Sequence, residues 1–237
     1  VQTAQQAAQP TALVLRWVRV PQQARTRAAL GRLLDAAEAL VAERGFDQTS
    51  VADIVSRAGV SVGGFYRRFQ DKDGLLQALH ERFCEEARAT TDVALDPANW
   101  GGATVADILR DVVAFLVQIY RERVGLLRAF LHRCVIDAEV QRRQEELFEY
   151  IADGLERLLA DRMEASDHPD PKLALRFGLR TLHGALDDTI VLRTSAPVLE
   201  DQRIVVELSR MIIRYLGVAE SSAAPAKATY ARSSQKP

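Results

Sequence analysis

Four side chains able to donate hydrogen bonds to an anion crowd one short stretch of the sequence: Tyr66, Arg67, Arg68 and Lys72. Two guanidinium groups, a phenol and an ammonium so close together suit phosphate oxygens on either side of a groove and the base edges within it. A solvated helix face usually carries acids as well, yet no Asp or Glu falls between Asp53 and Asp71. Patterns for bond-making chemistry are missing. There is no His-Glu-x-x-His, no Gly-x-Gly-x-x-Gly, no phosphate-binding Gly-rich loop ending in Lys, and no Glu-x-x-His of a di-iron bundle. The histidines, His80, His132, His168 and His183, form no pair three or four residues apart, so no helical metal site is expected and no cofactor is implied. Cys84 and Cys134 read as small buried apolar residues, with a redox-sensing pair as the alternative.

The elements that must carry the basic cluster are legible from local pattern. A helix over 26–43 ends at Gly45, and Ser50 with Asp53 forms a capping box that opens a second helix. Val51, Ile54, Val55 and Ala58 line that helix, and Gly59 supplies the left-handed residue that stops it. Ser61 then caps a third helix, with Val60 and Phe65 poised to pack inward and Val62, Gly63, Gly64, Tyr66, Arg67 and Arg68 directed outward. Helix, four-residue turn and helix in this arrangement form the helix-turn-helix signature. The two central glycines each cost about 1 kcal/mol relative to Ala inside a helix, which is consistent with backbone brought close to DNA or with a frayed helix.

Chain-wide arithmetic fits a small basic face on a larger body. Of 237 residues 48% are hydrophobic and 27% charged, ordinary for a globular chain, and the net charge of -1 argues against a nonspecific polyanion binder. Residues 1–75 hold ten Lys+Arg against seven acids, while the remainder is acidic. No apolar run of 18 residues occurs, the apolar stretch near the N-terminus is cut by Arg16 and Arg19, and two distant cysteines make no disulfide framework. A cytoplasmic setting without membrane partner is expected. Helical periodicity runs through nearly every segment, as in Ile108, Val112, Phe115 and Ile119 or Leu147, Ile151, Leu155 and Leu158. The expected fold is all-α with about nine helices: an N-terminal three-helix helix-turn-helix domain, then a larger helical domain for ligand binding and dimerisation. Its divisions are a flexible basic arm over 1–24, a DNA-binding domain over 25–76, an effector-binding and dimerisation domain over 77–218, and a disordered tail over 219–237.

The first block resembles the DNA-binding domain of the TetR family of one-component transcriptional regulators. The likeness rests on Arg44-Gly45-Phe46, Thr49-Ser50-Val51-x-x-Ile54, Ala58-Gly59-Val60-Ser61-x-Gly63-x-x-Tyr66-x-x-Phe69 and Lys72-Asp73-x-Leu75-Leu76. It implies that Thr49, Tyr66 and Lys72 hold phosphates, that Ser50 sits beside them, and that Ser61, Val62, Gly63 and Gly64 lie at the groove. Arg67 and Arg68 fall where such proteins make phosphate or base contacts, and Arg67 is the leading candidate for base readout, with a phosphate role equally open. Gly64 departs from the Thr, Ser or Ala common at its place in the family.

The resemblance further implies a homodimer on a palindromic double-stranded operator, released by a small-molecule effector expected to be mostly apolar, and a repressor; the alternatives are an activator or redox-responsive regulator of the same fold, or a helical enzyme or interaction module with a vestigial helix-turn-helix. An enzyme is not expected. From the pattern of the remaining helices, Trp100, Phe115, Ile119, Phe130, Phe148 and Phe177 are candidates for an apolar effector pocket, with His132, Arg133, Tyr150 and His183 as polar anchors. A helix over 171–192 and a last helix over 200–216 carry the expected dimer face: Leu173, Phe177, Thr181, Ala185 and Thr189 on one, Ile204, Leu208, Met211, Ile212 and Tyr215 on the other.

Overall fold

The computed structural model describes residues 24–193 and 199–219. They form two compact units that divide between Glu85 and Glu86. The expected arm lies outside the described residues apart from Ala24, and so does the expected tail beyond residue 219.

The first unit contains α1 (Ala24–Arg44), α2 (Val51–Ala58), α3 (Val62–Tyr66) and the first part of α4 (Lys72–Ala94). Leu33, Leu34, Ala37, Leu40 and Val41 recur at helical spacing along α1 and are all buried. Gly45, at φ 84, ends the helix in a conformation that a side chain would strain. Leu33, Ile54, Phe65, Phe69, Leu75 and Leu79 close the core of this unit, each at most 1% exposed. Burial at that level contributes about 1.5–3 kcal/mol per large side chain, so five-residue α3 is held by Phe65 rather than by its own hydrogen bonds. Arg82 of α4 bridges Asp35 and Glu38 of α1 at 2.7 and 2.5 Å.

The second unit holds the end of α4, a 3-10 turn over Pro97–Trp100, and α5 (Val105–Glu122), α6 (Val124–Cys134), α7 (Ala138–Leu159), α8 (Pro171–Leu186) and α9 (Asp201–Tyr215). Local chemistry sets their starts. Thr104 and Asp107 form a capping box on α5, Asp137 accepts from two backbone N–H groups at the head of α7, and Asp170 caps α8 ahead of Pro171. One core joins α5, α7, α8 and α9 through Ile108, Leu155, Leu159, Leu175, Leu179, Leu186 and Ile212, and α6 packs Val124, Leu127 and Leu131 against it. Among the described residues there is no strand, and no helix is long and apolar enough to cross a membrane.

Two helices differ from the periodicity. The expected helix over 171–192 is α-helical only to Leu186, then runs as a π-helix over Asp187–Leu192 and stops at Arg193 with φ 56. Arg128 of α6 donates to the Val191 carbonyl through Nε and Nη2 at 3.0 and 2.6 Å, which anchors a turn whose own ladder is widened. Beyond Leu159, α7 tightens into a 3-10 segment over Ala160–Ala165.

Candidate nucleic-acid interface and candidate effector site

The turn between α2 and α3 is built as local chemistry requires. Ser50 Oγ accepts from the Asp53 N–H at 3.1 Å while the Asp53 carboxylate accepts from the Ser50 N–H at 3.1 Å and its hydroxyl at 2.6 Å. Those Ser50 bonds, with Arg44 at 2.7 Å, hold the Asp53 carboxyl below its ordinary range. Gly59 sits at φ 60, and Ser61 Oγ accepts from the Gly64 N–H at 3.1 Å. The run Gly59-Val60-Ser61-Val62-Gly63 also has the letters of a hydrolase nucleophile elbow, but that device needs a strand-to-helix turn. Here it joins two helices, and Ser61 is a cap.

The exposed face of α3 comprises Val62, Gly63, Tyr66 and Arg67. Val62 and Tyr66 are 51% and 55% exposed, and nothing lies within 4 Å of where a Gly63 side chain would begin. Among the described residues no hydrogen bond or ion pair engages the Arg67 side chain. At the head of α4, Lys72 Nζ donates to the Phe46 carbonyl at 3.0 Å and lies 4.3 Å from the centre of its ring. An ammonium at a helix N-terminus opposes the helix dipole; the carbonyl and ring offset that. They also aim a group that has two further hydrogens to donate.

Four expectations on this face are corrected. Thr49 is 1% exposed and its hydroxyl donates to the Gly45 carbonyl at 2.8 Å, so it braces the turn instead of reaching a phosphate. Ser50 commits its proton to Asp53. Gly64 is buried: a Cβ there would stand 2.7 Å from Val60 Cγ1, so this glycine answers to packing and offers nothing outward. Arg68 folds back, with Nη1 donating to the Gly64 carbonyl at 2.6 Å. Burial, then the neighbouring Arg67 and Arg32, push its guanidinium pKa below the usual value.

In the second unit the polar anchors separate. His183 Nδ1 is 3.0 Å from the Tyr120 hydroxyl, and Asp187, the first residue of the π-helix, acts electrostatically on the same phenol. Phe148 meets the His183 ring edge-on at 5.9 Å, and Arg180 lies 4.1 Å over the Phe148 ring while pairing with Glu145 at 2.6 Å. Although His183 keeps some exposed surface, its Nε2 is buried and has no partner among the described residues. Burial, reinforced by Arg180, pulls the His183 pKa down to about 4, so the ring is neutral near pH 7. Burial followed by the Asp187 charge drives the Tyr120 phenol far above its normal range. Asp187 itself is raised by burial against the opposing influence of Tyr120, and the Cys134 thiol is raised by burial, Asp187 and Asp137. A thiol so shifted is a poor nucleophile.

Other expected anchors fall elsewhere. Tyr150 donates to Asp92 at 2.6 Å beneath Arg88, away from His183's cluster. His132 is exposed at the end of α6, and Arg133 pairs with Asp137 at 3.1 Å. Trp100 and Phe130 are buried; Trp100 donates to the Ala94 carbonyl at 2.7 Å and belongs to the core. Phe115 and Ile119 are half-buried on α5. Phe177 is 57% exposed, so it lines no pocket and joins the outer stripe. Sequence reasoning missed Tyr120 and Asp187 as site residues. The four-residue step from His183 to Asp187 was a usable signal; nothing local pairs either with Tyr120, 63 residues before His183.

The expected dimer face is likewise sorted by packing. Leu173 and Phe177 are each 57% exposed, Thr181 is exposed, and Met211 and Tyr215 are 37% and 40% exposed. The Phe177 and Tyr215 rings lie 5.8 Å apart, joining the stripes of α8 and α9. Ala185, Thr189 and Leu208 are half-buried. Ile204 and Ile212 are corrected to the core at 3% and 0%: they share a stripe with Met211 and Tyr215 but are covered by the rest of the unit, Ile212 by Gly178. Val206 is also exposed, at 45%, but on the other side of α9 from Tyr215. Among the described residues no cluster of His, Cys, Asp and Glu could hold a metal ion.

Comparison with known proteins agrees with this geometry. The family model described as bacterial regulatory proteins, tetR family, matches residues 33–79, and that of the tetracyclin repressor-like C-terminal domain matches residues 104–216. An uncharacterized HTH-type transcriptional regulator of Bacillus subtilis, YvdT, is 31% identical over 97 residues, covering 40% of this chain; the match spans about half (48%) of that relative. The Mycobacterium tuberculosis regulator Rv2912c, also uncharacterized, is 27% identical over 192 residues, 77% of this chain and 92% of its own. Among solved structures, a TetR-family regulator from Mesorhizobium loti superposes with TM-score 0.65 at 17% identity, covering 82% of this chain and 98% of the other. RolR in complex with resorcinol superposes with TM-score 0.51 at 25% identity, covering 83% and 91%.

Proposed function

Because the chain belongs to the TetR family of DNA-binding transcriptional regulators, we propose that it is a cytoplasmic repressor that binds a palindromic operator as a homodimer and is released by a small, mostly apolar effector. The observation that carries the DNA-binding half is the acid-free face of α3, where Tyr66 and Arg67 are exposed, with Lys72 beyond it aimed by the Phe46 carbonyl. Tyr66 and Lys72 would hold phosphates, Val62 and Gly63 would let the backbone close on the groove, and Arg67 would read a base edge. A single α3 makes few contacts, so two copies about 34–36 Å apart are needed to occupy successive half-sites. The outer stripe of Leu173, Phe177, Thr181, Met211 and Tyr215 is the face offered for pairing.

Effector release follows from differential affinity. A ligand that binds better to the dimer in its DNA-incompetent arrangement lowers operator affinity by that difference. The helix α4 is the continuous element through which the two units are joined, running from Lys72 to Ala94. RolR, a structural neighbour, holds a phenolic ligand, which favours a compact effector of similar size here.

The test is a fluorescence-anisotropy titration with DNA from upstream of the protein's own gene. Wild type should bind with a steep salt dependence, and Lys72→Ala should reduce the slope of log affinity against log salt by about one per half-site. An unchanged slope removes Lys72 from the phosphate contacts. A reporter fused to the same DNA gives the sign of regulation.

A further inference from the structure

His183, half-buried in the second unit, presents an unusual arrangement. The ring is enclosed by Phe148 and Tyr120, its Nδ1 is satisfied by the Tyr120 hydroxyl at 3.0 Å, and its Nε2 is buried without a partner among the described residues. Buried polar atoms are nearly always hydrogen-bonded, so an unmet one in a polar cluster points to a missing group. The direction of the missing bond follows from proton counting. The Tyr120 oxygen is 3.0 Å from His183 Nδ1, the Asp187 charge acts on the same phenol, and the phenol has a single proton to give. A carboxylate only accepts, so Asp187 draws that proton towards itself and favours the Tyr120 oxygen as acceptor from His183. The neutral imidazole therefore carries its hydrogen on Nδ1 and leaves a bare lone pair on Nε2.

We propose that His183 Nε2, with its tautomer set by Tyr120 and Asp187, accepts a hydrogen bond from a neutral hydroxyl group, phenolic or alcoholic, on an otherwise apolar effector. A carboxylate does not fit, because it offers no proton to the Nε2 lone pair. A cation does not fit either, since the guanidinium of Arg180 lies over Phe148 beside the imidazole. Asp187 opens the π-helix, and such a widened turn frequently marks a functional site in a helix. This assignment rests on the reading that the second unit holds an effector.

The experiment uses the full chain and four probes of matched size: 4-ethylphenol, 4-ethylcyclohexanol, 4-ethylanisole and 4-ethylbenzoate. Calorimetric titration should show at least one hydroxyl probe binding about tenfold or more tighter than the anisole and the benzoate, as one hydrogen bond to a buried acceptor predicts. The two hydroxyl probes distinguish an aromatic from an aliphatic source. In His183→Leu the preference over the anisole should vanish while the apolar probe still binds. Nitrogen-15 NMR of the imidazole should report hydrogen on Nδ1, with Nε2 shifting only when a hydroxyl probe is added. Equal affinity for 4-ethylphenol, 4-ethylcyclohexanol and 4-ethylanisole, no binding of either hydroxyl probe, or an Nε2–H tautomer would each overturn the assignment. A hydroxyl probe that binds at His183 yet leaves operator affinity unchanged refutes effector release and leaves the subsite standing.

Discussion

Gly64→Ala tests whether α3 is limited by its packing or by its backbone. On propensity alone the change should help: an Ala inside a helix gains about 1 kcal/mol over Gly. The structure opposes this, since the new Cβ would stand 2.7 Å from Val60 Cγ1 and 3.2 Å from Ser61 Oγ. Carbon atoms prefer about 3.5–4.0 Å, so the overlap with Val60 approaches one ångström. Val60 is stiff at χ1, and the Ser61 oxygen is tied to the Gly64 N–H, so relief requires the turn itself to shift. Overpacking of this kind costs about 1–3 kcal/mol, which leaves Gly64→Ala less stable by roughly 0–2 kcal/mol after the helix gain. Coupling gives the sharper readout. In Val60→Ala the obstructing methyl is gone, and adding Gly64→Ala should then stabilise by about 1 kcal/mol. Urea denaturation followed by circular dichroism at one fixed protein concentration measures all four corners of the cycle. A Gly64→Ala protein more stable than wild type, with the same increment in the Val60→Ala background, would refute the steric account.

Other consequences follow from the same geometry. His183, whose pKa is pulled from 6.5 to about 4, binds a proton more readily unfolded than folded. Its contribution to stability is therefore complete above pH 6.5 and is lost as pH falls from 6.5 towards 4, by about 2 kcal/mol between pH 6.5 and 5. The corresponding drop in urea midpoint should be absent from His183→Leu; an equal drop in both proteins assigns the acid sensitivity elsewhere. Phe177→Asp places a charge on the exposed α8 stripe beside Tyr215. It should shift sedimentation towards monomer and weaken operator binding by well over tenfold while leaving the helical content unchanged, and a persisting dimer would remove this stripe from the interface. Arg67→Ala should cost about 1–3 kcal/mol on the preferred operator and relax preference at one base position per half-site. Uniform weakening on all sequences would mean that Arg67 holds phosphate.

Much of the DNA-binding unit was legible because its determinants lie within four residues of each other. The Ser50 and Asp53 box, the φ 60 of Gly59 and the Ser61 cap all appear where residue type and spacing placed them. The role of Gly64 was not legible, since the obstructing Val60 methyl is a matter of side-chain direction across the turn. Thr49 shows the same limit: residue type allows a phosphate contact, and only the fold reveals a buried hydroxyl already bonded to Gly45. Along α8 periodicity marked apolar positions but not which of two neighbouring stripes faces inward, and along α9 it did not show which members of one stripe are covered. Burial of Ile204 and Ile212 and exposure of Leu173 and Phe177 depend on how five helices share one core.

The sequence by itself determined the helices, their caps, the helix-turn-helix and the family, because hydrogen bonds within a turn and apolar periodicity act over short stretches of chain. Only the tertiary structure decided that Arg68 folds back on Gly64 while Arg67 does not, and that Tyr120 and Asp187 gather around His183. Tyr120 reaches His183 across 63 residues, and even the four-residue return of Arg68 to Gly64 is a choice among side-chain directions that the surrounding packing makes.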